Sequence, residues 1–204
     1  MRQTYDTFKR VIDVAAAGVG LVASLPLQVG LAIVIRWKLG SPVLFRQTRP
    51  GLHGAPFELV KFRSMANVDE SKGLVTDEQR LTKFGRMLRA TSLDELPTLW
   101  NVVKGDMSLV GPRPLLVRYL DRYTPEQSRR HEVRPGITGL AQVSGRNSVS
   151  WERKFAKDLE YVDNRSLLLD LRIVLLTVAK VVKRDGISAD GDVTMPEFMG
   201  SPRV

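Results

Sequence analysis

The chain has 204 residues, which is enough for one domain, or for one domain with a membrane anchor, around a buried core. Lysine and arginine together number 31 against 22 aspartates and glutamates, and the net charge of +9 favours anionic partners such as nucleic acid, acidic lipid headgroups or phosphorylated substrates. The absence of cysteine excludes disulfides and thiolate chemistry, and two histidines, His53 and His131, are too few for a histidine-based metal site.

The first predicted element is a long apolar run from Val11 to Ile35. As a helix it would measure roughly 38 Å, which is enough for one tilted crossing of a bilayer. Basic residues flank both of its ends, namely Lys9, Arg10, Arg36 and Lys38. The positive-inside rule therefore favours a cytoplasmic location for both ends and disfavours a single crossing.

Within this run, Pro26 interrupts the helical hydrogen-bond ladder, and the hydroxyl of Ser24 can satisfy a freed carbonyl. We therefore predict that residues 1–40 form a re-entrant membrane helix with its flanks, which breaks at Ser24 and Pro26 and returns to the same leaflet. A straight transmembrane helix is the leading alternative, and a buried helix of a soluble core is another. A cleaved signal peptide is disfavoured because nothing near Ile35 resembles a small-residue cleavage site.

A β-hairpin is predicted next, with strands from Val43 to Thr48 and from Phe57 to Phe62 around a turn rich in glycine and proline. Thr76 and Gln79 then have the spacing of a capping box, and they precede a basic amphipathic helix from Asp77 to Arg89. Such a helix is typical of an anionic membrane surface, although a solvated face explains the pattern equally well when the helix is considered alone.

The C-terminal half is predicted to be mainly helical. Helices are expected from Asp94 to Lys104, through Tyr123 and from Leu167 to Val182, and the last is so apolar that it should be buried or lie against lipid. The segment from Arg134 to Arg146 is too rich in glycine for a regular element, so we predict an irregular loop there, of the kind that can present backbone N–H groups to phosphates. The chain is thus expected to be a mixed α/β protein, mostly helical, with interfacial amphipathic helices and a small hairpin around a compact domain.

Asp94 and Glu95 are the densest candidates for chemistry, in the sequence Ser-Leu-Asp-Glu-Leu-Pro at 92–97. Proline is tolerated in a first helical turn, so Pro97 places a helix start near Leu93 or Asp94, with both carboxylates at the positive end of the helix dipole. A purely structural interpretation is also strong, because Ser92 and Glu95 match a capping box.

Three longer motifs favour the catalytic interpretation. They are KFRSM from Lys61, LDELPTLWNVVKGDMSLVGPRP from Leu93 and RPGITGLAQVSGRN from Arg134. Together they resemble the bacterial sugar transferase family, specifically its small monotopic phosphoglycosyl transferases of the PglC type, and the resemblance runs through nearly the whole chain. One departure is visible: the family commonly has serine directly before the proline of its re-entrant helix, whereas this chain has Ser24-Leu25-Pro26.

The resemblance implies transfer of a sugar-1-phosphate from a UDP-sugar to a polyprenyl phosphate such as undecaprenyl phosphate, as the first membrane step of glycoconjugate synthesis. Asp94 would be the nucleophile that expels UMP and forms a covalent aspartyl-phosphosugar. Glu95 would help to hold Mg²⁺, a hard cation that prefers carboxylate and phosphate oxygens. Residues 41–204 would then form a membrane-associated catalytic domain on the cytoplasmic face of the bacterial inner membrane.

The same resemblance suggests which cations bind the substrates. Arg113, placed rigidly between Pro112 and Pro114, would bind the nucleotide, and Arg89 is a candidate for the phosphate of the carrier lipid. Weaker candidates of the same kind, each of which could equally be a surface cation, are Lys61, Arg63, Arg134 and Arg146.

Other functions stay open at the level of sequence. The basic composition permits a nucleic-acid-binding module, although the apolar anchor and the lack of a recognition motif argue against nucleic acid as a partner. A noncatalytic membrane scaffold is a third interpretation, and within an enzyme Asp94 could act as a general base for direct transfer in a ternary complex. The expected partners are a UDP-sugar, a polyprenyl phosphate and the lipid bilayer, while the sugar, the glycan pathway and a homo-oligomeric assembly are left open.

Overall fold

A computed structural model describes residues 2–145, 150–183 and 197–200 of the chain. Its first element is helix α1, Arg2–Leu39, which contains Pro26 and is helical on both sides of it, so the proline does not end the helix. Side chains support the ladder around the proline: Ser24 Oγ donates to the carbonyl of Gly20 at 2.6 Å, and Gln28 Nε2 donates to Ser24 Oγ at 2.9 Å. Local hydrogen bonds of this kind let a helix continue across a proline.

The two ends of α1 pack against the same folded body. Asp13 and Ala17 are buried near its beginning and Leu31 and Ile35 near its end, whereas residues 18–30 include no buried residue. In this middle part, large apolar side chains are exposed to 70% at Val19 and 72% at Val22 and to 55% at Leu25. Because both ends of α1 are held by one body, its exposed middle is the part available to enter a membrane.

The predicted hairpin is confirmed. Strand β1, Leu44–Pro50, pairs antiparallel with strand β2, Pro56–Phe62, in a register that places Leu44 opposite Phe62 and Pro50 opposite Pro56. Between them a 3₁₀ turn at Leu52–Gly54 reverses the chain. Phe57 and Leu59 of β2 pack with Ala17 and with Val102 in one of the apolar clusters that make up the core.

The predicted amphipathic helix at 77–89 is divided in two. Helix α2, Asp77–Arg80, carries the predicted capping box of Thr76 and Gln79, and helix α3, Lys83–Ala90, begins at a new cap, where Thr82 Oγ1 accepts from the N–H of Gly85. The break has a packing reason: a Cβ on Gly85 would lie 1.8 Å from the carbonyl oxygen of Ser64. The chain therefore reorients at Leu81 so that α3 can approach the end of β2 closely.

The helix predicted from Asp94 begins later than expected. Residues Leu93–Glu95 form a 3₁₀ turn, and helix α4 covers Thr98–Lys104, with Pro97 preceding its first residue. The two carboxylates therefore lie in a separate turn before the helix and not in its first turn. This turn is short, and it is held between α3 and α4.

The glycine-rich segment at 134–146, predicted to be irregular, contains a strand and a helix, and its strand pairs with an earlier one. The earlier strand is β3, Ser108–Val110, which is followed by a 3₁₀ helix at Val117–Arg122 and by helix α5, Pro125–Ser128. Strand β4, Gly136–Thr138, then pairs parallel with β3, and helix α6, Leu140–Ser144, follows. The 3₁₀ helix corresponds to the short helix expected through Tyr123.

The glycines of this segment allow backbones to touch. A Cβ on Gly136 would lie 2.1 Å from the amide nitrogen of Gly111, and one on Gly139 would lie 2.2 Å from the carbonyl oxygen of Gly111. Glycine is therefore required here for close packing between β3 and β4, and the high glycine content misled the prediction of an irregular loop.

Two helices close the described chain. Helix α7, Trp151–Asn164, was not predicted, and helix α8, Leu167–Lys183, confirms the predicted apolar helix at 167–182. One side of α8 is packed inward, with Ile173 fully buried, while Leu168 is 78% and Val182 is 76% exposed. The exposed apolar side of α8, like the middle of α1, is suited to contact with lipid.

Candidate active site

The turn that carries Asp94 and Glu95 is set by an unusual residue in front of it. Ser92 has φ of 55° and ψ of 18°, a left-handed conformation that serine rarely adopts. No capping hydrogen bond comes from its side chain, so the predicted structural pairing of Ser92 with Glu95 is wrong. The left-handed residue reverses the chain after α3 and turns both carboxylates toward Lys61 on β2.

Glu95 is held by two cations. Lys61 Nζ lies 2.5 Å and Arg113 Nη2 lies 3.0 Å from the same oxygen, Oε1. Burial disfavours the charge of Glu95, but the attraction of Arg113 and Lys61 outweighs burial and lowers its pKa to about 2. Glu95 is thus a fixed anion that draws β2 and the Pro-Arg-Pro segment together.

Asp94 differs sharply from its neighbour. Its residue is 9% exposed, and no other residue in the described ranges forms a hydrogen bond or ion pair with its carboxylate. Burial and the adjacent charge of Glu95 raise its pKa to about 6, against the opposing effect of Lys61, Arg113 and Arg89. A buried carboxylate without a direct partner is uncommon, and such groups concentrate at sites of chemistry.

The carboxylates border a large cavity of about 1770 Å³. A smaller cavity of about 510 Å³ adjoins it. Both are lined by Arg89, Ser92, Glu95, Arg113, Leu115 and Ile137, whereas Asp94 and Lys61 line the large cavity alone. The site therefore lies where two cavities meet, which suits a reaction between two different substrates.

The predicted nucleotide-binding segment is fixed through its backbone. The carbonyl of Pro112 accepts from the N–H of Gly136 at 3.0 Å, and that of Arg113 accepts from Arg130 Nη2 at 2.7 Å. The carbonyl of Pro114 lies 3.5 Å from Arg49 Nη1. These bonds hold the backbone of Arg113, while its side chain, 46% exposed, reaches Glu95 and the cavities.

Arg89 and Arg63 have different surroundings. Arg89, at the end of α3, donates from Nε to Ser64 Oγ at 2.9 Å and lines both cavities. Arg63 also lines the large cavity, but its guanidinium binds the carbonyls of Leu39 and Ser41 and the side chain of Asn67. The structure thus uses Arg63 to hold the end of α1, which makes it a weaker candidate for a substrate ligand than Arg89.

The last two predicted cations are not brought to the site by the described structure. Arg134 donates from Nε to the carbonyl of Gly105 at 3.0 Å and lines neither cavity. Arg146 lies outside the described residues. Of the predicted residues, the fold therefore brings five together at the site: Asp94, Glu95, Lys61, Arg89 and Arg113.

Two arginines of the site were missed by the sequence reasoning. Arg49 lines the large cavity, and burial together with the charge of Arg113 lowers its pKa to about 10. Arg130 forms a buried ion pair with Asp158, 2.7 Å from Nη2 to Oδ2, beside the small cavity. A single arginine in a strand or a turn carries no sequence signal, and only the tertiary contacts with Pro114 and Arg113 reveal these two.

A divalent cation fits the donor atoms at the site. Within the described ranges, no cluster of three or more histidine, aspartate or glutamate side chains could hold an ion by itself. Glu95 uses Oε1 for both of its cations, which leaves Oε2, and the Asp94 carboxylate has no direct partner. Mg²⁺ is commonly held by one or two carboxylates together with substrate phosphates, so the pair is suited to an ion that arrives with a phosphorylated substrate.

Comparison with known proteins decides the family. The sequence matches the family described as "Bacterial sugar transferase" over residues 4–184. The chain belongs to the bacterial sugar transferase family. The predicted family resemblance is thereby confirmed, and the chain is a transferase.

Several relatives are similar over most of this transferase. A Bacillus subtilis protein named "Uncharacterized sugar transferase EpsL" is 56% identical over 96% of this chain and 98% of the relative. The UDP-glucose:undecaprenyl-phosphate glucose-1-phosphate transferase of Caulobacter vibrioides is 42% identical, over 90% of this chain and 73% of the relative. A protein of the same name from Escherichia coli is 40% identical over 84% of this chain, which covers 39% of that relative.

Proposed function

We propose that this transferase moves a sugar-1-phosphate from a UDP-sugar to a polyprenyl phosphate, undecaprenyl phosphate in the first instance, and releases UMP. The observation that carries the proposal is the carboxylate of Asp94, which is buried, has no direct partner among the described residues and borders the large, cation-rich cavity next to its boundary with the small one. The names of the relatives from Caulobacter vibrioides and Escherichia coli support the same substrates.

Asp94 is proposed to act as the nucleophile. Its carboxylate oxygen attacks the phosphorus that bears the sugar, the bond from that phosphorus to the bridging oxygen breaks, and UMP leaves with the electron pair. An oxygen of the polyprenyl phosphate then attacks the same phosphorus and returns the carboxylate of Asp94. A mixed anhydride retains the transfer potential needed for this second step.

The neighbouring side chains support this chemistry electrostatically. Lys61 and Arg113 neutralise Glu95, so the site does not present two uncompensated carboxylates to an anionic substrate. Arg113 and Arg89 line both cavities and are proposed to bind phosphate oxygens. Mg²⁺, held by Glu95 Oε2 and Asp94 with the substrate diphosphate, would offset the charge that builds on the leaving group.

We also propose a monotopic arrangement at the membrane. Among the helices of the described residues, α1 has the length and apolar composition needed to cross a membrane, and the apolar stretch covers Tyr5–Leu39. Its burial at both ends and exposure in the middle support a re-entrant insertion of residues 18–30. The basic flanks support a location of residues 41–204 on the cytoplasmic face of the inner membrane.

A test of the enzyme is the release of UMP from UDP-sugars with Mg²⁺ and undecaprenyl phosphate, screened over several sugars. The covalent route predicts that UMP appears in an amount that matches the enzyme before any lipid is added, in a rapid-quench experiment. Complete absence of this early UMP, with normal turnover in the presence of lipid, would favour direct attack in a ternary complex with Asp94 as a general base.

The remaining alternatives make different predictions. A noncatalytic scaffold would release no UMP and would keep its function in the Asp94→Asn variant. A nucleic-acid-binding module would be recovered in the soluble fraction and would bind DNA in a salt-sensitive manner. The buried carboxylate without a partner favours the enzyme over both.

A further inference from the structure

The small cavity has a chemical character that differs from that of the large one. Its wall is mainly apolar, with contributions from Leu96, Leu99, Leu115, Ile137, Val143 and Val181. By contrast, the large cavity is lined by many polar and charged side chains, among them Gln47, Thr48, Arg49 and Asn67. Hydroxyl groups of a sugar would lose hydrogen bonds against the apolar wall, so the nucleotide sugar fits the large cavity better.

The small cavity nevertheless carries positive charge where it meets the active site. Arg89 and Arg113 lie at the shared boundary, and Lys180 of α8 lines the cavity without a hydrogen bond or ion pair to any residue in the described ranges. Of the two carboxylates in its lining, Asp158 is engaged by Arg130 and Glu95 by Lys61 and Arg113. This combination of apolar wall and cationic entrance complements a phosphate attached to a hydrocarbon.

The cavity also lies between the two elements that expose apolar side chains. Leu99, in its wall, is close to α1, since a Cβ on Gly20 would lie 3.5 Å from Leu99 Cδ1. On the other side Val181 of α8 lines the cavity, and its neighbours on the helix, Val178 and Val182, are 55% and 76% exposed. A hydrocarbon chain leaving the cavity would therefore meet surfaces suited to lipid.

We propose that the small cavity is the acceptor site, which holds the phosphate of polyprenyl phosphate near Arg89 and its first isoprene units against Leu99, Ile137 and Val181. The proposal rests on the proposed function and adds a division of the site: the nucleotide sugar occupies the large cavity, the lipid occupies the small one, and their phosphates share the boundary at Arg89 and Arg113. After UMP has left, the acceptor phosphate attacks the phosphorus in line with its bond to Asp94, from the side that UMP has vacated, and the Asp94 carboxylate leaves.

The experiment compares two valines in the full-length enzyme in detergent or nanodiscs. Val181→Asp places a negative charge in the small cavity, whereas Val75→Asp places the same charge at an exposed loop position that lines neither cavity and lies outside α1 and α8. We expect Val181→Asp to raise the KM for undecaprenyl phosphate roughly tenfold or more and to leave the KM for the UDP-sugar unchanged. Val75→Asp should alter neither constant by more than about twofold.

A second variant tests the same cavity without a charge. Ala141→Leu narrows the cavity from α6, and we expect it to raise the KM for undecaprenyl phosphate while early release of UMP from the UDP-sugar, which also reports an intact fold, persists.

The inference is overturned if the Val181→Asp and Ala141→Leu variants raise the KM for the UDP-sugar alone, or if both retain wild-type constants for the lipid. Wild-type enzyme that transfers nothing to any polyprenyl phosphate would instead contradict the proposed function, and the inference would fall with it.

Discussion

Two buried carboxylates, Asp170 beside the beginning of α1 and Asp94 at the proposed active site, have very different surroundings. Near the beginning of α1, Asp170 is bound by Lys9 at 2.5 Å, by the hydroxyl of Tyr5 at 2.7 Å and by the hydroxyl of Tyr161 at 2.8 Å. At the active site, Asp94 has no such bond from the described residues, and its pKa is raised to about 6. Both residues are buried, and among the described residues only Asp170 has direct hydrogen-bond partners for its carboxylate.

The satisfied cluster has a structural role. Besides Asp170, it includes Asp13, whose carboxylate accepts from Ser108 Oγ at 2.6 Å, and Lys9, which lies between the two aspartates. These bonds join α1 to α8 and to β3. We conclude that the chain fixes α1 with paired carboxylates and keeps one carboxylate unpaired at the proposed active site.

The largest expected effect follows from removing the unpaired charge. Asp94→Asn should reduce kcat for sugar-phosphate transfer by a factor of at least about 10³, because an amide cannot act as the nucleophile. The melting temperature should be unchanged or higher, since the variant removes a charge that burial disfavours. The assay is UMP release beside thermal unfolding, and the exposed Asp121→Asn is the matched control. Full activity of Asp94→Asn would contradict the proposed mechanism.

The second effect concerns the paired cluster. Asp170→Asn should lower the free energy of unfolding by about 2 kcal/mol, because Lys9 would lose its shorter ion pair and keep only the 3.5 Å contact with Asp13. Turnover per folded molecule should stay near wild type. Chemical denaturation in detergent, read together with the active fraction, checks both statements. If instead turnover collapsed while the unfolding free energy stayed the same, the structural role assigned to Asp170 would be wrong.

The third prediction uses the pH dependence of the active site. The nucleophile must be ionised, so kcat/KM should fall as the pH drops below about 6, the pKa of Asp94. Lys61 lowers this pKa, so Lys61→Met should raise it and move the acid limb of the profile to higher pH. The exposed Lys72→Met serves as control and should leave the limb in place. A limb that shifts to lower pH in Lys61→Met would contradict the assignment.

The smallest expected effect is the loss of one hydrogen bond in the paired cluster. Tyr5→Phe should cost about 1 kcal/mol of unfolding free energy, because Lys9 and Tyr161 still bind Asp170. The double variant with Asp170→Asn should cost less than the sum of the two single changes, since the residues share one interaction. Full additivity in the denaturation experiment would show that Tyr5 acts independently of Asp170.

Local sequence patterns gave correct predictions of secondary structure. Alternation and turn residues predicted the hairpin of β1 and β2, the capping box at Thr76 was confirmed, and the apolar helix α8 was found within one residue of its end. Errors occurred where contacts distant in sequence decide the backbone. The division of α2 from α3 depends on Ser64, and the strand β4 depends on its partner β3.

The site shows the same limit. The motifs and the family resemblance placed Asp94, Glu95, Arg89 and Arg113 in one predicted site, and the fold brings these four together. The opposite environments of Asp94 and Glu95 could not be predicted, because adjacent residues with similar chemistry differ only in which cations the fold brings to them. Lys61 and Arg113 come from distant segments, and both form an ion pair with Glu95.

The sequence by itself determined the family, the long apolar N-terminal segment and the carboxylate pair, since these depend on residue types and their spacing along the chain. Only the tertiary structure decided which carboxylate is held and which is left unpaired, and how two cavities meet beside them. The physical reason is that desolvation and charge pairing depend on three-dimensional neighbours, which the packing of α1, β2 and the Pro-Arg-Pro segment around one short turn supplies.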